Sequence, residues 1–149
     1  MNEHIIKFID KQTCANICCV NDKVHPYCFS CFYAFHSGKG LLYFKSSSSA
    51  YHSSIIANNR CIAGTILPDR LNTVLVKGIQ FEGVVLPEDH PFGIDASGQY
   101  HKKFPMALLV PGEIWIIQIN SIKMTDSAIG FGKKISWSRL NEQLVPDLR

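Results

Sequence analysis

The residues best suited to ligand chemistry are a run of four serines followed closely by a histidine. Ser46, Ser47, Ser48 and Ser49 precede a segment, 50–58, with apolar residues at helical spacing, and His52 lies one turn into it. Hydroxyl groups and free backbone N–H groups at a helix N-terminus can hold a phosphate. Serines also cap helices without any ligand, so this pattern leaves both interpretations open.

A second group of polar residues lies between positions 77 and 83. Lys77 follows the apolar run 74–76 in what we interpret as a strand, so it could face a ligand phosphate or pair with an acid. Gln80 and Glu82 share one face of that strand and could bond a ligand or solvent. Trp115 lies in a strand that is apolar on both faces, which favours the core or an interface over a stacking platform.

Six cysteines are many for this length, and the Cys28-x-x-Cys31 spacing is found in redox and metal pairs. In a strand, however, positions i and i+3 point to opposite faces. Cys18 or Cys19 could instead face Cys28 across a hairpin. The first residues lack the layout of a secretory signal, so we expect reduced, mostly buried cysteines and a cytoplasmic location.

Several classes of function lack their sequence signatures. None of the six histidines forms a His-x-x-x-His or Cys/His cluster with zinc spacing, and Gly-x-Ser-x-Gly and the glycine-rich nucleotide-binding motifs are absent from the sequence. No segment approaches the ~20 apolar residues of a membrane-spanning helix. The net charge of +3 is scattered, and the aromatic residues of segment 28–35 have no basic residue among them. We therefore predict no metal site, no membrane and no nucleic-acid partner.

These residues must be positioned by a mostly antiparallel sheet. Short β-compatible segments between turn residues predict one domain over 1–149, a barrel of six or seven strands with two or three short helices. Eight segments are candidates for these strands, 14–20, 28–35, 41–45, 61–67, 74–86, 114–119, 122–125 and 133–137, and the helices are expected at 2–11, 50–58 and 97–104. Gly130-Phe131-Gly132 joins the last two strands. Gly78 and Gly83 indicate bulges or bends of a closing barrel.

Seven segments recur in this order in one known family. They are Cys31-Phe32-Tyr33, Leu42-Tyr43-Phe44, Ala63-Gly64-Thr65-Ile66, 77–83 (Lys-Gly-Ile-Gln-Phe-Glu-Gly), Ile114-Trp115-Ile116, 122–126 (Ile-Lys-Met-Thr-Asp) and Gly130-Phe131-Gly132. From about Cys14 to Trp137 the chain resembles the YhbP-like (UPF0306) branch of the pyridoxamine-phosphate-oxidase-like, FMN-binding split barrels. The segments 77–83 and 122–126 are the most specific.

This resemblance implies a mainly β, six-stranded antiparallel split barrel that forms a homodimer, with two FMN sites at the subunit interface. The implied activity is that of an FMN-dependent flavoprotein oxidoreductase of unknown substrate, the hydride chemistry belonging to the flavin. The residues that the resemblance places at the small-molecule site are Ser30, Cys31, Phe32 and Tyr33 beside the ring, Ser46 to Ser49 and His52 near the phosphate, Thr65, Lys77 and Gln80 on facing strands, and Trp115 near the partner's site.

Two departures from the family pattern limit what is carried over. Relatives commonly have Arg or Lys just before the histidine, where this chain has Tyr51. Because a cation binds phosphate more strongly than hydroxyls do, FMN affinity could be reduced or lost. The alternative is a non-catalytic dimeric barrel that binds haem, a deazaflavin or no cofactor. The Arg-x-His segment of the true oxidase is also missing, so pyridoxamine 5'-phosphate oxidase activity is not predicted.

Overall fold

The computed structural model describes residues 1–130 and 133–143, except the side chain of Gln143. Phe131 and Gly132 of the expected last connection lie outside the described residues. The strands are β1 Cys14–Val20, β2 Pro26–His36, β3 Leu41–Ser46, β4 Cys61–Ile66, β5 Lys77–Val85, β6 Glu113–Asp126 and β7 Lys134–Ser138. The helices are α1 Glu3–Lys11, α2 Tyr51–Asn58, α3 Ala96–Lys103 and α4 Arg139–Gln143, with 3-10 turns at Pro91–Gly93 and Pro105–Leu109.

Six of these strands close into an antiparallel barrel. They run in the order β3-β2-β1-β4-β5-β6, and pairing between β3 and β6 completes the ring. The first half of β6 pairs with β3, and its second half pairs with β7, which adds to the outside of the ring. The structure therefore confirms the predicted six-stranded antiparallel barrel with a few short helices.

Local signals in the sequence explain where the first elements begin and turn. The side chain of Asn2 accepts a hydrogen bond from the N–H of His4 (2.8 Å) and caps α1, at the start of the predicted helix 2–11. Between β1 and β2, the Asn21 side chain accepts from the N–H groups of Lys23 and His25 (3.0 Å each). This Asx-type turn produces the predicted hairpin.

Alternation along the strands fills the barrel with apolar side chains. Ile17, Ile79 and Ile119 point inward and are buried, while α1 inserts Ile5 and Ile9 at 0% exposure. A smaller cluster lies outside the barrel wall, where α3 packs against β3 and β6. Burial of this apolar surface is the main favourable free-energy term for such a fold.

The predicted strand 74–86 begins later than expected. β5 starts at Lys77, and the three apolar residues before it are exposed, Val74 at 83%. The Asn72 side chain accepts hydrogen bonds from the N–H groups of Val74 and Leu75 (2.9 and 3.2 Å), which turns the backbone away from the sheet. The prediction that residues 74–76 lie in a strand was wrong.

The two strands predicted at 114–119 and 122–125 are one continuous strand, β6. Glu82 lies opposite Ser121, but its neighbour Gly83 lies opposite Ile119, so Asn120 is the extra residue of a β-bulge. The polar Asn120 suggested a break, whereas the structure accommodates it without ending the strand. The bulge at Gly83 confirms the predicted irregularity there. Across the described ranges, no helix has the length and apolarity needed to cross a membrane.

Candidate functional site

The serine loop, Ser46–Ser49, leads directly into α2, which begins at Tyr51. Within the loop the hydroxyls of Ser47 and Ser49 lie 2.8 Å apart, and Ser47 also accepts from the N–H of Ser49 (3.2 Å). Despite these serines, no side chain caps α2. The first N–H groups of the helix and the loop hydroxyls are therefore donors that an anion could use.

His52 is held between the loop and the barrel wall. Its Nε2 lies 2.7 Å from the hydroxyl oxygen of Ser46, and its ring stacks on Phe29 with 3.8 Å between centroids. Burial lowers the pKa of His52 below its usual value. At neutral pH His52 is therefore a neutral hydrogen-bonding group rather than a cation.

Trp115 fixes the other side of the loop. Its indole N–H donates to the carbonyl of Ser46 (3.2 Å), and its ring lies near Phe44 in the barrel core. A cavity of about 250 Å³ beside it is also lined by Ser48 and Arg60. Glu88 and Glu113 line the same cavity, and their carboxylates do not favour a bound phosphate there. The N–H groups at the N-terminus of α2 are better placed to bind one.

A second polar surface, the outer sheet face, is formed by outward side chains of β1, β2, β4 and β5. Asn16 lies opposite both Ser30 and Thr65, and Thr65 lies opposite Gln80, so the four occupy adjacent strands in one row. The hydroxyl of Ser30 donates to the Asn16 side chain (2.7 Å). An open cleft of about 780 Å³ covers most of this row, within the size range of small-ligand sites.

The residues of β2 do not all face the same way. Phe32 is outward and 60% exposed, whereas Cys31 and Tyr33 point inward. The Tyr33 hydroxyl donates to the carbonyl of Ile9 (2.5 Å), which ties β2 to α1. Burial raises the pKa of Cys31 to about 12 and also raises that of Tyr33, so both remain protonated at neutral pH.

Lys77 lies far from the serine loop within one copy of the chain. Its ammonium group is 2.7 Å from the carboxylate of Asp126, the last residue of β6, while Ser46 pairs with Glu113, the first. These ends are about 13 residue steps of roughly 3.3 Å apart, or roughly 40 Å along the strand. The structure thus brings together the serine loop, His52 and Trp115, and separately Ser30, Thr65 and Gln80, but leaves Lys77 apart from both.

Three residues of these surfaces were missed by the sequence analysis. Phe29 stacks on His52, Asn16 bonds Ser30, and Arg60 lines the cavity beside Trp115. Only Phe29 had a sequence signal, because residues two apart in a strand point to the same face and Phe29 therefore lies on the same face as Cys31. In the part of the chain that the structure describes, no three His, Cys, Asp or Glu residues are grouped to hold a metal ion.

Comparison with known proteins identifies relatives along nearly the whole chain. A UPF0306 protein of Serratia proteamaculans is 31% identical over 139 residues, covering 92% of this chain and 94% of the relative. A UPF0306 protein of Photorhabdus laumondii is 33% identical over 136 residues, covering 91% and 94%. No protein-family model matches the sequence.

Solved structures share the fold at low sequence identity. A heme-binding protein from Mycobacterium smegmatis superposes with a TM-score of 0.74 at 12% identity, covering 88% of this chain and 55% of that one. A FAD-binding protein from Mesorhizobium loti gives 0.67 at 15%, covering 83% and 90%. A protein of the pyridoxinephosphate oxidase family from Clostridium acetobutylicum gives 0.64 at 10%, covering 93% and 94%. At these identities the matches establish the split-barrel fold alone.

Proposed function

The chain belongs to the UPF0306 family, and from that premise we propose that it is a homodimeric, FMN-binding split barrel that acts as an oxidoreductase. One observation carries the proposal: α2 begins without a side-chain cap next to a loop of four serines. The FAD-binding and pyridoxinephosphate-oxidase-family neighbours support a flavin as the ligand class. The substrate and the electron donor are left open.

The residues at the start of α2 fit a phosphate monoester. The hydroxyls of Ser47 and Ser49, which now bond each other, can both turn to donate to phosphate oxygens. The first N–H groups of α2 add donors and a favourable dipole. Tyr51 is 56% exposed and packs edge-on against Tyr27 at 5.0 Å, so it offers the phosphate no charge.

The neighbouring side chains hold this phosphate site in place. Phe29 and Ser46 fix the neutral His52 imidazole, and the Trp115 indole fixes the backbone at Ser46. We propose that the polar row containing Thr65 and Gln80 contacts the ring. A bound flavin would itself supply the hydride and electron chemistry, while the chain would bind and orient it and exclude water.

A second candidate is a non-catalytic barrel that binds another ring ligand, such as haem or a deazaflavin. It is favoured by Tyr51, because a phosphate site without a cation binds FMN less strongly. The heme-binding neighbour has the same fold. The two candidates predict different absorption spectra for the protein as purified, flavin bands in one case and a Soret band in the other.

A titration with two matched ligands tests the phosphate site. Riboflavin is FMN without the phosphate, so the ratio of the two dissociation constants isolates the phosphate contribution. We expect FMN to bind at least about tenfold more tightly, since each tenfold corresponds to about 1.4 kcal/mol. Equal affinities for FMN and riboflavin would contradict the proposed phosphate site. If neither flavin binds, the proposed function itself is contradicted.

The substitution Tyr51→Arg should increase FMN affinity. Hydrogen bonds to charged groups contribute about 1.5–3 kcal/mol, which corresponds to about 10- to 100-fold. Riboflavin affinity should not change, because riboflavin has no phosphate for the guanidinium to bind. Tyr51→Gln, which removes the ring without adding charge, is the control. Quenching of flavin fluorescence measures the six affinities of wild type and the two variants for FMN and riboflavin, and an equal gain for riboflavin would contradict the placement of the phosphate.

A further inference from the structure

Cys18 on β1 and Cys28 on β2 lie directly opposite each other on the outer sheet face. The neighbours of Cys18 along β1, Ile17 and Cys19, are buried in the barrel, so the Cys18 side chain points outward. Directly opposed residues of an antiparallel pair have Cα atoms about 4.5–5.5 Å apart. A disulfide requires about 4.4–6.8 Å, so the Cα spacing of directly opposed strand residues lies within the range that a disulfide spans.

Both sulfurs can be reached from solution. The expectation of mostly buried cysteines was wrong, because Cys19 alone of the six is buried and Cys28 is exposed. Cys18 and Cys28 both line the 780 Å³ cleft of the outer sheet face. They are also close to the hairpin turn, at the rim of that face, since β1 ends at Val20 and β2 begins at Pro26. An oxidant of small-molecule size therefore has access to the pair.

The other cysteines do not share this arrangement. Cys61 is exposed as well, but Val84 lies opposite it on β5. Cys19 is buried, with its sulfur 3.5 Å from the carbonyl oxygen of Tyr27. Cys31 points into the barrel, away from Cys28. Cys14 lies opposite Phe32, so Cys18 and Cys28 are the two cysteines that are directly opposed on an accessible face.

We propose that Cys18 and Cys28 form a reversible dithiol–disulfide site that reacts with low-molecular-weight disulfides. The exposed Cys28 thiolate attacks one sulfur of the small disulfide, forming a mixed disulfide and breaking the original S–S bond, with one small thiolate leaving. The Cys18 thiolate then attacks the Cys28 sulfur, forming the Cys18–Cys28 bond and expelling the second small thiolate. The two protein thiols are oxidised, the small disulfide is reduced, and the two protons end on the two small thiols.

The order of the two steps follows from the surroundings of each thiol. Burial, together with hydrogen bonding to and repulsion from Cys28, raises the pKa of the Cys18 thiol. Cys18 therefore has less thiolate at neutral pH, which suits the second, intramolecular attack. In that step the reacting sulfurs are already side by side, so a small thiolate fraction is offset by proximity.

Peptide mapping of the oxidised full-length chain tests this site. The reduced protein is incubated with oxidised glutathione without added flavin, its remaining thiols are alkylated, and it is digested with trypsin without reduction. Cleavage after Lys23 separates Cys18 from Cys28. We expect the two peptides to be linked with loss of two hydrogen atoms, the link to reverse with dithiothreitol, and Cys61 to carry a glutathione instead.

Single substitutions separate the two steps. Cys18→Ser should stop the reaction at a glutathione mixed disulfide on Cys28, while Cys28→Ser should abolish the link. Cys61→Ser, at another exposed cysteine, should leave the link unchanged. Two results for the wild-type protein would overturn the proposal. In the first, Cys28 keeps its glutathione while Cys18 stays a free thiol. In the second, Cys28 is linked to a cysteine other than Cys18. Residues 12–23 and 24–39 are the two linked tryptic peptides and also contain Cys14, Cys19 and Cys31, so fragmentation of the linked wild-type peptides assigns the bond, even if a variant fails to fold.

Discussion

Lys77 and Asp126 form an ion pair in which one partner is buried and the other is not. Their charged atoms are 2.7 Å apart, with the Asp126 side chain 4% exposed and that of Lys77 38% exposed. Burial alone would raise the pKa of Asp126, but hydrogen bonds from Lys77 and from the N–H of Ala128, and the Lys77 charge, lower it below its usual value. The pair therefore stabilises the fold only while Asp126 is ionised.

This coupling gives a pH dependence with a definite sign. Because the pKa of Asp126 is lower in the folded chain, its stabilisation is complete above the unfolded value of about 3.9 and is lost as the pH falls through the folded value. We expect the wild-type free energy of unfolding to fall more steeply than that of Asp126→Asn between about pH 5 and pH 2, measured by urea unfolding. Asp89→Asn, at an exposed loop position, is the control and should keep the wild-type slope.

The substitution Lys77→Ala separates two roles for the lysine. It leaves Asp126 buried without its partner and should lower the free energy of unfolding by about 1–3 kcal/mol at neutral pH. Asp126→Asn removes the same ion pair but keeps the lysine. If Lys77 of one copy contacts the FMN phosphate bound by the other copy, only Lys77→Ala should therefore also weaken FMN binding. Equal FMN affinity in the two variants would contradict that contact and leave Lys77 as the partner of Asp126.

At the scale of the elements, the close approach of the two backbones at Gly83 determines how β6 continues past β5. A Cβ atom at Gly83 would lie 2.4 Å from the carbonyl oxygen of Gln118, a backbone atom that cannot rotate away. The bulge at Asn120 on the opposite strand shifts the register at this point. This close approach lets β6 pair with β5 along its length while its first half closes the barrel against β3.

The substitution Gly83→Ala should therefore destabilise the barrel by about 1–3 kcal/mol or more, the usual cost of overpacking. Gly98→Ala is a matched control inside α3, where an added Cβ meets nothing within 4 Å. That change should be neutral or stabilise by up to about 1 kcal/mol, because alanine favours helix over glycine. Thermal and urea unfolding measure both, and a Gly83→Ala protein as stable as wild type would contradict the close approach.

Most elements could be predicted from the sequence because their signals are local. The Asn2 cap, the Asn21 turn and the alternation of β1 each lie within a few residues of the element that they define. The errors at 74–76 and at Asn120 arose where a side-chain hydrogen bond or a bulge overrode the pattern of apolar and polar residues. An Asn72 side chain turned an apolar run away from the sheet, and a bulge kept a polar residue inside a strand.

The candidate site was less predictable, because its contacts join distant segments. The serine loop and His52 are close in sequence and were identified together. The stacking of Phe29 on His52 and the bond from Trp115 to Ser46 depend on how β2 and β6 flank β3. Periodicity placed Gln80 on an outward face, but only strand order shows that Thr65 lies beside it.

At the scale of the whole molecule, the connection 67–76 between β4 and β5 exposes an unusual amount of apolar surface. Leu67, Leu71, Val74, Leu75 and Val76 are between 49% and 83% exposed. Large exposed apolar surfaces are typical of protein–protein interfaces, but Met106, Leu108, Leu109 and Val110 are also 58–77% exposed, so exposure alone does not choose between the two segments. The connection also runs directly into Lys77, so a second copy that covered it would bring Lys77 towards the partner. We therefore place the proposed homodimer contact at residues 67–76.

The double substitution of Val74 and Leu75 by Asp should weaken this dimer without unfolding the barrel. Both side chains lie outside β5 and away from the core, so a charge there costs the monomer little, whereas burying two unpaired carboxylates in an interface is costly. Leu108 and Leu109 are similarly exposed on another surface, and the same double change there should leave the mass unchanged. Light scattering across a dilution series gives the dimer dissociation constant, and circular dichroism verifies the fold. A wild-type protein that is monomeric at all concentrations would contradict the homodimer. If the double variant at Val74 and Leu75 dimerises like wild type, residues 67–76 are not the dimer contact.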